Sequence, residues 1–108
     1  MTGITWASVY AFLQARSTEE VRGVVFLVTL GEAPVVQMKL NDREAACPVT
    51  YAELAPLVDG YIAAMDIPAK SVAGGEIDID YVKNRAVVTA FYHDHGNNAR
   101  KRATEYPF

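Results

Sequence analysis

His93 and His95 stand two residues apart near the end of the 108-residue chain, inside the stretch FYHDHGNNARKRATEYPF. The same stretch holds Arg100, Lys101 and Arg102 and closes on Tyr106, Pro107 and Phe108. Three chemistries suit these residue types. In a continuing strand the two imidazoles project to one side, where they could converge with Glu76 or Asp78 on a divalent cation, or one could act as a general base oriented by Asp78 or Asp80. Basic side chains interleaved with aromatic ones can hold phosphates and stack on unpaired bases. A basic segment that ends on stiffened aromatics can instead dock on a protein, because aromatic residues and arginine are the usual interface hot spots.

The sequence separates these readings. Zinc requires three or four ligands, and the His-x-His pair supplies two. There is no GxSxG, no HExxH and no glycine-rich lysine loop, and the lone Cys47 precedes Pro48 with no histidine near it. The sequence therefore marks no catalytic residue, no metal site and no cofactor. An enzyme that depends on His93 and His95, with or without metal, stands as the second reading. The formal net charge is −3, and the basic cluster adjoins acidic neighbours that repel phosphate. Single-stranded nucleic-acid binding is accordingly the third reading, and nucleic acid is not the expected partner.

The elements that position these residues can be read from periodicity. Trp6, Val9, Tyr10 and Leu13 gather on one face of a helix expected from about Ile4 to Ala15. VRGVVFLVTL and VVQMKLN flank GEAP and read as a hairpin. A four-residue loop there would put Val25, Leu27 and Thr29 on one face with Val36, Met38 and Leu40, and leave Phe26 and Val28 on the more exposed one. Thr50 and Glu53 form a capping box for a second helix, with Val49 and Leu54 as its staple and Pro56 casting doubt on the first turn. Leu54, Val58, Tyr61 and Met65 form its apolar face. DIPAKSVAGG reads as a connector in which Gly74 and Gly75 could move. EIDIDYV alternates, with Ile77, Ile79 and Tyr81 facing in, and a Lys83-Asn84 turn would return Ala86, Val88, Ala90 and Tyr92 to the same side.

The expected architecture is a single α+β domain in the order α-β-β-α-β-β, with a four-stranded, mainly antiparallel sheet and both helices on one face. Residues 1–97 form the domain and 98–108 a basic, aromatic tail. The open face would carry Asp78, Asp80, Val87, Phe91 and His93, and the tail Arg100, Lys101, Arg102, Tyr106 and Phe108. Together these form the expected contact surface of a small non-catalytic inhibitor, adaptor or accessory protein. Its partner would be another protein, and a homodimer through a strand edge or the open face is a further expectation. A membrane partner is not expected, because no apolar run reaches the roughly 18 to 20 residues a spanning helix requires. The N-terminal segment carries no export signal, and a single cysteine fits a reducing, cytoplasmic setting.

Overall fold

A computed structural model describes residues 5–67 and 72–107. Its elements are α1 (Trp6–Arg16), β1 (Gly23–Thr29), β2 (Val35–Leu40), β3 (Arg43–Ala45), α2 (Tyr51–Ala64), β4 (Val72–Asp80), β5 (Arg85–His93) and β6 (Ala99–Pro107). The chain is a compact α+β domain with two helices and an antiparallel sheet, as expected. The sheet has six strands instead of four, in the spatial order β3-β2-β1-β4-β5-β6. Ile4, Phe108 and connector residues 68–71 lie outside the described residues.

Both extra strands arise from tight turns. Asn41 and Asp42 have φ of 49° and 66° and join Leu40 to its partner Arg43. Two successive positive φ angles are the geometry that matches a hairpin's right-handed twist, and Asn and Asp tolerate it better than most side chains. Asn41 then anchors the start of β1: its Oδ1 accepts from the amides of Arg22 and Gly23, and its Nδ2 donates to the Glu20 carbonyl. At the other end of the chain, residues 99–107 pair with β5 along its whole length. The expected tail is a strand of the same sheet.

The β1–β2 register keeps the expected core face of β2 and corrects that of β1. Thr29 pairs with Val35 and Phe26 with Met38, so five residues lie between the paired positions, not four. A one-residue change in register exchanges the faces of a strand. Val24, Phe26 and Val28 are buried, whereas Leu27 and Thr29 face out. In β4–β5 the pairing of Asp80 with Arg85 leaves a four-residue turn, not the expected two. That is a shift of two residues, which preserves the faces, and Ile77, Ile79, Ala86, Val88 and Ala90 are buried as expected.

The core lies between this sheet face and the helices. Thr5 and Ser8 cap α1 reciprocally, as Thr50 and Glu53 cap α2. Helix α2 runs through Pro56, which lies on its exposed side. Trp6 of α1 lies between Phe26 and Tyr61, with ring centroids 6.2 and 6.5 Å away, and its indole N–H donates to Tyr61 Oη at 2.8 Å. The hydroxyl of Tyr81 donates to the Trp6 carbonyl at 2.7 Å. Each fully buried aliphatic or aromatic side chain in such a layer contributes about 1.5–3 kcal/mol. Gly74 and Gly75 are part of β4, not a mobile connector. A Cβ on Gly74 would lie 2.4 Å from the Val28 carbonyl oxygen and one on Gly75 2.9 Å from that of Thr89. Where α2 crosses them, Val58, Ile62 and Met65 cover an apolar cavity of about 20 Å³, room for no more than a single water.

Candidate functional site

The outer sheet face is built by β-strand alternation from residues that the core does not claim. Antiparallel registers align Lys39, Val25, Asp78, Val87 and Glu105 in one row across the sheet, and Gln37, Leu27, Glu76, Thr89 and Ala103 in the next. A third row holds Val35, Thr29, Gly74, Phe91 and Lys101. Glu76, Asp78 and Asp80 thus form a carboxylate column on β4, flanked by Val25 and Leu27 on β1 and by Val87 and Phe91 on β5. Neighbouring strands are about 4.8 Å apart, so apolar side chains border the acids on both sides. Leu27, Val35 and Val87 retain 41%, 51% and 37% of their surface, and Phe91 is half-buried.

Burial first, and like charge second, set the electrostatics of this face. Burial, reinforced by the carboxylates of Asp42 and Asp80, holds Asp78 above the ordinary carboxylate range. The nearest cation in the register, Arg85 opposite Asp80, is bound to Glu105 in an ion pair. Asp80 is also engaged locally: its Oδ1 accepts from the amides of Val82 and Lys83 and so fixes the β4–β5 turn.

The structure divides the sequence-derived site between two faces. Asp78, Asp80, Val87, Phe91, His93 and Lys101 share the outer face, as the rows above and the pairing of His93 with Ala99 require. Arg100, Arg102 and Tyr106 alternate to the helix side. Arg102 donates to the Met65 carbonyl at the C-terminal end of α2, 2.7 Å away, a favourable position for a cation at a helix end. Tyr106 packs on Tyr61. Arg100 Nε donates to Asp94 Oδ2 at 2.8 Å. Phe108 is outside the described residues.

The histidine stretch is a hairpin turn. The Asp94 amide donates to the Asn98 carbonyl and the Asn97 amide to the Asp94 carbonyl, while Asn97 adopts φ of 61°. This is a type I turn followed by a left-handed residue, a common three-residue hairpin connection. Asp94 Oδ1 accepts from the amides of Gly96 and Asn98 at 3.0 and 2.9 Å. The bond from the Asn98 amide, with the Arg100 guanidinium, holds its carboxyl down at about 2. His93 closes the last rung of β5 and His95 sits within the turn. Four residues along β5 separate His93 from Thr89, the partner of Glu76, or about 13 Å at the usual strand rise. The expected convergence of the histidines with Glu76 or Asp78 does not occur. Among the described residues, no group of three or more His, Cys, Asp or Glu side chains is placed to hold a metal. Cys47 donates to the Val49 carbonyl at 3.2 Å, and burial, with a smaller contribution from the charge of Glu53, pushes its thiol up, away from the reactive thiolate.

Val25, Leu27, Val35, Lys39 and Glu105 belong to the outer face but not to the sequence-derived site. The first two were lost to the one-residue register shift. The signal that could have recovered them is side-chain volume, since Val24, Phe26 and Val28 make a larger apolar set than Val25, Leu27 and Thr29. Comparison with protein-family models, with curated proteins and with solved structures gives no match. Among the described residues no helix is long and apolar enough to cross a membrane.

Proposed function

We propose that this chain is a non-catalytic binding module whose outer sheet face receives a protein partner with a basic surface. One observation carries the reading: an acidic column, Glu76-Asp78-Asp80, runs between exposed apolar side chains on a sheet face that neither helix covers. Apolar contact bordered by charge is the composition of a specific interface. Acids outnumber cations on this face, and Asp78 is crowded by like charge, so an incoming lysine or arginine relieves a repulsion that already exists. The same charge repels nucleic-acid phosphate and opposes stacking of two copies face to face.

The test is capture from a lysate of the source organism by immobilised wild-type protein and by Asp78→Lys, at low and at moderate salt. The proposal expects a basic protein retained by the wild type, lost with Asp78→Lys, and bound less well as salt rises. Equal retention by both forms, insensitive to salt, overturns it.

A further inference from the structure

The two sheet edges differ sharply. Strand β3 offers three residues, Arg43–Ala45, whereas β6 offers nine, Ala99–Pro107. The phase of the β6 edge follows from the turn that precedes it. Because Asp94 N–H bonds the Asn98 carbonyl, the pairs that follow in the register, Tyr92 with Arg100, Ala90 with Arg102, Val88 with Thr104 and Ala86 with Tyr106, are the hydrogen-bonded ones. The N–H and C=O groups of Ala99, Lys101, Ala103 and Glu105 therefore point away from β5. Pro107 falls in the same phase, so its missing N–H lies on the outward side, where a sheet tolerates proline.

We propose that β6 pairs antiparallel with β6 of a second copy of this chain, centred on Ala103, to give a twofold dimer with one continuous sheet. Alternation of faces restricts a twofold strand pairing to registers centred on a residue. Centring on Arg102 sets Arg102 against its own copy. Centring on Thr104 sets Lys101 against Pro107 and Glu105 against Ala103, leaving both charges without a partner across the strands. Centring on Ala103 sets Lys101 opposite Glu105 twice, Arg100 opposite Tyr106 and Arg102 opposite Thr104, and joins outward N–H groups to outward C=O groups. Three cations on an edge ordinarily discourage pairing; in this one register each outer-face cation meets an anion. Glu105, already paired with Arg85, then lies between two cations. The inference is independent of the proposed basic partner, since the pairing uses the edge and leaves the outer face open.

Sedimentation equilibrium distinguishes the outcomes. The wild type is expected at twice the 11.8 kDa chain mass. Lys101→Glu and Glu105→Lys are each expected at the single-chain mass, because each sets like charges opposite one another twice. An equimolar mixture of the two variants is expected to return to the double mass, with at least tenfold tighter association than either variant alone. Ala103→Pro removes an outward amide that β5 does not use, so it is expected to stay folded by circular dichroism and lose the dimer. A wild type that remains at the single-chain mass at hundreds of micromolar overturns the proposal. So does a dimer that survives all three substitutions, or a mixture of the charge variants that stays monomeric.

Discussion

The ring of Tyr106 lies 4.6 Å, centroid to centroid, from that of Tyr61. This contact ends a run of aromatic rings, Phe26, Trp6, Tyr61 and Tyr106, that links β1 through both helices to the last strand. Tyr106 thus serves the fold from a position that the sequence offered as a docking anchor. Tyr106→Ala is expected to cost about 2 kcal/mol, less than a fully buried aromatic because the residue is half-exposed. Urea unfolding should show a lower midpoint at an unchanged slope. An unchanged midpoint would mean that β6 is held without this ring.

The two glycines that differ most in their surroundings give opposite expectations. Gly74→Ala forces a methyl against the Val28 carbonyl and should destabilise the protein by about 2–3 kcal/mol, as overpacking does. Gly60, exposed within α2, has nothing within 4 Å of its added Cβ. Gly60→Ala should stabilise by about 0.5–1 kcal/mol, because alanine is the better helix former. Thermal unfolding of the two variants should move in opposite directions, and a shift of the same sign in both would contradict the placement of Gly74 in β4.

Asp94 and Asp78 give pH dependences of opposite sign. Asp94 titrates at about 2 in the fold, below its ordinary value, so its contribution is present above the unfolded pKa and is lost as pH falls toward 2. Asp78 titrates above its ordinary value, so the fold is relieved as that carboxylate takes up its proton. In amide hydrogen exchange, Gly96 and Asn98 should lose protection between pH 4 and about pH 2 relative to the core strands. Asp94→Asn should remove that loss. Asp78→Asn should leave the melting temperature at neutral pH unchanged or raised, which separates its part in binding from any part in folding.

What was legible in the sequence was local. The spacing of Trp6, Val9, Tyr10 and Leu13, the capping box at Thr50 and the alternation through Glu76–Tyr81 depend on neighbours within a few residues, and the helices and β4 follow from them. The β1–β2 face depended on whether Leu30 closes the strand or opens the loop, and one residue reversed it. Strand β6 was obscured because RKR and Asn97-Asn98 read as a solvated tail. Asp94 and Asn97 in fact make a hairpin turn, after which Thr104 and Tyr106 alternate toward the helices. The outer face was legible on β2, where Val36, Met38 and Leu40 face the core as expected, and on β4 and β5, whose register error was even; it was illegible on β1, which the odd error reversed.

Carboxyl footprinting of the captured complex shows which face of the sheet the partner covers. Exposed acids are labelled with a carbodiimide and an amine, with and without the partner, and read by mass spectrometry. Protection is expected at Glu76, Asp78 and Glu105 on the outer face, with unchanged labelling of Glu20, Glu32 and Asp59, which are not part of it. Protection confined to those three, with Glu76 and Asp78 labelled as in the free protein, would contradict the proposed outer-face interface.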